Sequence, residues 1–343
     1  MTDDFQLAWH DGTDWPEWGS SPRKPLVQLN MAHKGEWLDS VIGPDVVTGK
    51  PMVYQVLRCE LCIGIHAWPL PEPAALARFY AEQFYQVEKP DMYQRYWDDQ
   101  QWWLRCVHGP LLDQCAAARA QSSDRVPHIL DIGAGPGLLL KSAQERGWHT
   151  TALEPSPLCR ASLCKAGHIV YSTTLPQFVT PKYSKQRGSY DIISLYETLE
   201  HMPEPEQALL DCYDLLVPGG ILLVVVPNEA SPLQYAACEK LHIVPYLLAV
   251  PQHLFFYSPK TLQLLLRRCG FEIVDARATF PMEKFLLEDG RCYIGNDTIG
   301  RACHQERMAY ELEAVYSGKW PQLEQTYRMN MIQRIGRELV YIC

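Results

Sequence analysis

The chain has 343 residues, long enough to bury a full core and to carry more than one structural unit. A formal net charge of −9 argues against a nucleic-acid substrate, which wants a basic surface to neutralise phosphates, and no run of about 18 apolar residues is present to span a bilayer. Neither nucleic acid nor membrane is therefore expected as a partner. The start, Met1 to His10, has acids and no apolar stretch, so it does not read as a secretory leader. The twelve cysteines are scattered, several within periodic segments (Cys212, Cys238, Cys269), as expected of small buried thiols in a reducing cytoplasm.

Residues 1–50 are rich in Trp, Pro, Gly and Asp and show little periodicity, which reads as an irregular arm packed by its aromatics. Met52–Cys59 alternates as a strand does, Pro73–Tyr85 reads as a helix, and Trp97–Ala120 as one or two helices leading to a polar linker, 121–125. Eight of the ten tryptophans, including Trp9, Trp15 and Trp18, precede residue 120, which marks a compositional boundary there. From Val126 strands and helices alternate. Strands are expected at His128–Ile132, His149–Leu153, His168–Tyr171, Tyr190–Leu195, Ile221–Val226 and Phe271–Ala276. Helices are expected at Leu138–Arg146, Leu158–Lys165, Gln207–Leu216 and Ser258–Cys269. Such alternation predicts an α/β fold, a doubly wound, mostly parallel, Rossmann-like sheet of seven strands. Two further helices, 301–317 and 320–336, close the chain. The expected division is an N-terminal region 1–120, a central domain 121–280 with an insertion at 231–252, and a C-terminal helical extension 281–343.

The sharpest motif is His128-Ile129-Leu130-Asp131-Ile132-Gly133-Ala134-Gly135-Pro136-Gly137-Leu138. An apolar strand feeds an acid and three alternating glycines, as a nucleotide-binding strand–turn–helix requires. A dinucleotide fingerprint would place its third glycine where Leu138 stands, and the Gly-Lys-Ser/Thr of a phosphate loop is missing. The D-x-G-x-G-x-G run resembles the first motif of class I S-adenosylmethionine-dependent methyltransferases. The resemblance implies S-adenosylmethionine as cofactor, with Gly133, Gly135 and Gly137 as its cradle and Asp131 near its ammonium. Glu154, 17 residues beyond Gly137 and followed by Pro155, matches the acid that takes the ribose hydroxyls in that family.

Tyr196-Glu197-Thr198-Leu199-Glu200-His201-Met202-Pro203 resembles the L-E-H motif of the ubiquinone-biosynthesis O-methyltransferase-like group. The resemblance places Tyr196 and Glu197 at the methionine end of the cofactor. His201 has two open readings, a general base or a histidine satisfied by the fold. Pro251-Gln252-His253-Leu254-Phe255-Phe256-Tyr257-Ser258 is similar to a run that precedes the last large helix in relatives, so His253 is expected at the pocket rim, as catalytic base or as a positioning histidine. Glu197 or Tyr257 would orient the base. The insertion between them, with Leu233, Tyr235, Leu241, Tyr246, Leu247 and Leu248, is expected to form a lid.

Cys59-Glu60-Leu61-Cys62 resembles half of a zinc ribbon found ahead of some sugar methyltransferases. The first Cys pair of such a ribbon is absent; His33 or His66 could substitute, but a metal-free remnant is the expectation, and no metal is assigned. The aromatic run Tyr93, Tyr96, Trp97, Trp102, Trp103 packs in the core or stacks on an acceptor. The expected activity is methyl transfer to a small-molecule acceptor, with oxygen favoured and a sugar or secondary metabolite as its class. A cofactor-binding scaffold without turnover and a protein methyltransferase remain as alternatives, and a homodimer through the C-terminal helices is left open.

Overall fold

The structure is a computed structural model that describes residues 33–62, 64–119, 125–181, 186–229, 231–243 and 248–343, together with the backbone of 26–28. The start Met1–His10, Trp15 and Trp18, residues 121–124 of the linker, and Tyr246 and Leu247 of the insertion lie outside the described residues. Twelve strands are present among them: β1 Leu26–Gln28, β2 Lys34–Pro44, β3 Pro51–Cys59, β4 Gly64–Trp68, β5 His128–Ile132, β6 His149–Leu153, β7 Ile169–Tyr171, β8 Tyr190–Tyr196, β9 Leu216–Pro227, β10 Phe255–Phe256, β11 Asp275–Ala278 and β12 Glu338–Ile342.

Seven of them form one sheet in the order β11-β12-β9-β8-β5-β6-β7. The pairs from β9 through β8, β5 and β6 to β7 are all parallel, and the order reverses at β5, the strand that carries the glycine motif. In open α/β sheets the ligand crevice lies at the carboxyl ends of the strands at such a reversal. β9 shows why the sheet is buried on both faces. Leu222, Val224 and Val226 enter one core, with Leu209, Leu262 and Leu266 of the covering helices, while Leu223 and Val225 enter the other, with Leu112, Leu139 and Leu140. Each such side chain is worth about 1.5–3 kcal/mol of burial, so the strand cannot be moved by one residue without losing both faces.

The chain's end departs from expectation. Helices Asp297–Tyr316 and Trp320–Gln333 form as the periodicity suggests, but residues 338–342 are a strand, inserted antiparallel between β9 and β11. Leu339 and Tyr341 enter one core, Val340 and Ile342 the other. Four consecutive apolar residues, Leu339–Ile342, at the end of a helical pattern carry no period that distinguishes strand from helix.

The N-terminal region is also more ordered than an irregular arm. β2 is eleven residues long and pairs with β3, in a second sheet of order β1-β2-β3-β4-β10. A bulge between Trp37 and Asp39 interrupts the two-residue alternation that would have revealed β2. Tyr54, Val56, Ile65, Ala67 and Phe256 form the core of this sheet with Leu248 and Val250. Because β10 follows the insertion, the small sheet is stitched to the segment that carries His253. The helical stretch between the sheets contains two π-helical turns, Phe84–Glu88 and Trp103–His108, a geometry frequent beside ligand sites.

Candidate active site

β5 ends at Ile132 and the chain turns through Gly133, Gly135 and Gly137, all at positive φ (76°, 51° and 87°). A Cβ at Gly133 would lie 2.7 Å from Thr198 Oγ1, and one at Gly135 would lie 3.0 Å from the Tyr85 hydroxyl, so the turn needs glycine for conformation and for space. The Gly135 N–H donates to Glu154 Oε2 at 2.7 Å, and the Ser156 N–H to Oε1 at 2.7 Å. Glu154 thus ties the end of β6 to the glycine turn. Gly137 stands apart from the cavity, packed against Leu163 at the start of the helix Leu138–Glu145.

Asp131 is buried on β5, and its Oδ1 has no hydrogen-bond partner among the described residues. Burial pushes its carboxyl up to about 7, against Ser194 and helped by Glu154. Burial also raises Glu154 to about 7, opposed by the Ser156 and Gly135 amides. A buried carboxyl lacking a partner is costly unless something completes it. An ammonium would complete Asp131, and the amide-bonded oxygens of Glu154 can each accept a further hydroxyl, which is the chemistry of the methionine and ribose parts of S-adenosylmethionine. The residues present fit that cofactor.

Past β8, Glu197 holds φ 48°, rare for a residue with a Cβ, and is pinned by its N–H to the Val225 carbonyl at 2.8 Å. Burial, with Glu338 adding and Arg337 and Arg307 opposing, raises it to about 7. Tyr196 meets His108 edge-on, with ring centroids 5.2 Å apart. Glu200 is buried with both carboxylate oxygens unpartnered among the described residues, and His201 Nε2 stands 3.7 Å from it. His201 Nδ1 is hydrogen-bonded to the Gln252 carbonyl, and burial and the neighbouring His253 push its pKa down to about 3. His201 therefore clips the loop that carries the second histidine.

His253 and His201 lie with ring centroids 5.2 Å apart. His253 Nδ1 is 3.1 Å from Glu229 Oε1, whose other oxygen accepts the Tyr257 N–H at 3.0 Å. Tyr257 thus contributes its backbone to this pair. Burial drives Glu229 upward and His253 down to about 4, the latter helped by Arg337 and Lys89. At neutral pH the His253 imidazole is uncharged. Sequence reasoning assigned no role to Glu229 or Glu200; the available signals were the place of Glu200 within the L-E-H motif and the position of Glu229 just past the end of β9.

One cavity of about 860 Å³ joins these groups. Asp131, Gly133, Gly135, Glu154, Pro155, Tyr196, Glu197, His201 and His253 all line it. Thr173, Thr174 and Leu175 border it after β7, and Tyr80, Tyr85 and Tyr96 of the N-terminal helices line it as well. The Tyr80 hydroxyl donates to the Gln252 carbonyl at 3.3 Å. The aromatic run divides accordingly: Tyr96 faces the cavity, whereas Trp102 is buried and donates its indole N–H to Glu311. The described part of the insertion meets the cavity at its C-terminal end. Its helix, Pro232–Leu241, is tied to the 282–289 segment through Lys240, bonded to the Leu287 carbonyl and Asp289, and of its described residues only Ala249 and Gln252 border the cavity.

Residues 104–276 match a family model described as "Methyltransferase domain". A protein named ubiquinone biosynthesis O-methyltransferase from Xanthomonas axonopodis pv. citri is 30% identical over 153 residues, 43% of this chain and 63% of that protein. The protein of the same name from Saccharophagus degradans is 26% identical over 189 residues, 51% of this chain and 78% of that one. The chain thus spans less than two thirds of the Xanthomonas relative's length. A solved structure described as a SAM dependent methyltransferase from Archaeoglobus fulgidus aligns with TM-score 0.44 and 16% identity, covering 72% of this chain and 98% of that one. The fold assignment rests on the strand order and direction given above.

Proposed function

This chain belongs to the methyltransferase-domain family, whose methyl donor is S-adenosylmethionine, and from that premise we propose that it methylates an oxygen of a small-molecule acceptor, a sugar or a secondary metabolite. The observation that carries the reading is His253, which lines the same cavity as the glycine turn and is backed at its Nδ1 by the buried Glu229. When bound, the cofactor supplies a methyl group already activated by its sulfonium.

The protein's own share is to align the acceptor, exclude water and take a proton. Asp131, Glu154 and the backbone of Gly133 and Gly135 would hold the cofactor. Tyr80, Tyr85 and Tyr96 border the remaining space and suit a flat ring or the apolar face of a sugar. A volume of about 860 Å³ lies within the roughly 300–1,000 Å³ range of small-molecule pockets. With the proton between His253 Nδ1 and Glu229 on the nitrogen, Nε2 has a lone pair for the acceptor hydroxyl proton. The Tyr257 N–H favours the carboxylate form of Glu229, which then balances the imidazolium. His201 positions this loop through the Gln252 carbonyl. The name of the Xanthomonas relative, an O-methyltransferase, supports oxygen as the accepting atom.

Calorimetric titration with S-adenosylhomocysteine tests the cofactor half: micromolar binding to the wild type and about tenfold weaker binding to Glu154→Ala are expected. A screen of hydroxylated small molecules tests the rest. His253→Ala should lower kcat at least about 100-fold on any acceptor found, while cofactor affinity stays within about threefold. Absence of cofactor binding by folded wild type would overturn the reading. Binding without turnover on any acceptor would favour a scaffold role.

A further inference from the structure

We propose that His33, Cys59, Cys62 and His66 bind one zinc ion in a tetrahedral Cys2His2 site on the small sheet. This site is separate from the cavity and independent of the methyl-transfer reading. The four residues come from three places: His33 just before β2, Cys59 at the end of β3 with Cys62 in the turn after it, and His66 on β4. One ligand atom from each lies within 4.8 Å of all the others.

Two of the distances fall close to the edges of a tetrahedral metal site. Zinc–sulfur bonds of about 2.3 Å and zinc–nitrogen bonds of about 2.0–2.1 Å set tetrahedral ligand-to-ligand edges of roughly 3.3–3.8 Å. His33 Nδ1 lies 3.2 Å from His66 Nε2 and 3.4 Å from Cys62 Sγ. His66 is fully buried, and its Nδ1 is 2.8 Å from the Ala67 carbonyl, an acceptor only. Nδ1 must therefore carry the proton, and Nε2, aimed at His33, keeps its lone pair. A histidine anchored in this way by its other nitrogen is the usual outer-shell arrangement of a metal-bound imidazole. Two thiolates and two neutral imidazoles around Zn2+ sum to zero charge, which suits a buried position. No oxygen donor belongs to the set, so zinc is favoured over magnesium, calcium or manganese.

The site also has something to hold. Phe255 is the register partner of His66 in the β4–β10 pair, and the Ala67 N–H donates to the Leu254 carbonyl at 2.8 Å. Leu254 follows His253 directly. The metal would thereby lock the end of the small sheet that anchors the His253 loop, a task that the half-missing ribbon motif alone suggested had been lost.

Zinc content of the full chain purified without chelator, and cobalt(II) added to chelator-treated protein, test the proposal together. About one zinc per chain is expected, as is a cobalt complex with intense tetrahedral visible bands and a near-ultraviolet thiolate-to-cobalt charge-transfer band. Cys62→Ser and His33→Ala should each reduce retained zinc at least about tenfold. If either variant fails to fold, the wild-type cobalt spectrum still decides. Wild type without zinc and without the thiolate band would overturn the site. Cobalt bound with no thiolate band would overturn it too, since the metal would then sit on ligands without sulfur, such as Glu200, His201 and His253, whose ligand atoms also lie within 4.8 Å of one another.

Discussion

Asp131 and Glu154 are the residues at which burial and function meet most directly. Both carboxyls are raised to about 7 because the cavity floor removes them from water. An ammonium placed beside Asp131 favours its charged form and lowers that pKa again. Cofactor binding near neutrality should therefore release protons. At pH 6.5 we expect on the order of one proton per bound S-adenosylhomocysteine, falling toward none above about pH 9, where both acids are already ionised. Binding enthalpies compared across buffers of different ionisation enthalpy measure this number. Asp131→Asn should remove most of the release, and an unchanged proton count in that variant would show that other groups carry it.

Among the elements, β12 is a short strand placed inside the large sheet. It is five residues long, yet it pairs with β9 on one side and β11 on the other, and contributes to both cores. Val340 is 2% exposed, whereas Ile332 on the preceding helix is 47% exposed. Val340→Asp places an unpaired charge between two packed layers and should cost at least about 3 kcal/mol, enough to leave the protein largely insoluble on expression. Ile332→Asp, with the same change in chemistry, should stay within about 0.5 kcal/mol of wild type in urea unfolding. Equal losses in the two variants would contradict the placement of β12.

At the scale of the whole molecule, stability against pH is set by two opposing groups of buried side chains. Asp131, Glu154 and Glu197, each raised to about 7, bind protons more tightly when folded, so they favour the fold as pH falls through 7 toward the unfolded carboxylate range. His108 and His201, pushed to about 3, and His253, to about 4, act the other way. Their stabilising neutral forms are fully present above the unfolded value near 6.5, and the contribution is lost as pH falls below it. His108 isolates the second group, because it is buried and stacks on Trp103, with centroids 5.1 Å apart, where a phenyl ring can replace it. Between pH 7.5 and 5 the wild type should lose about 2 kcal/mol more than His108→Phe, from about 1.4 kcal/mol per pH unit below 6.5. Urea denaturation at the two pH values supplies the comparison, and the carboxylate contribution cancels in it.

The sequence by itself determined the parallel half of the large sheet, from β5 to β9, the glycine turn, and the acids that end β5 and β6. Those features are local: an apolar run, a glycine stop and an acid at a strand end lie within a few residues of one another, and their periods are readable. Tertiary structure alone decided the rest. β12 joins the sheet more than 100 residues after β9, β10 closes a sheet begun at β1, and Glu229 reaches His253 across the insertion. Likewise the Cys59-x-x-Cys62 spacing is local, but His33 reaches Cys62 only across a strand pair, so the four-ligand cluster is assembled by the fold. Each of these pairings is stabilised by burial and hydrogen bonds that exist only once the loop between the partners has closed, so no local pattern encodes it.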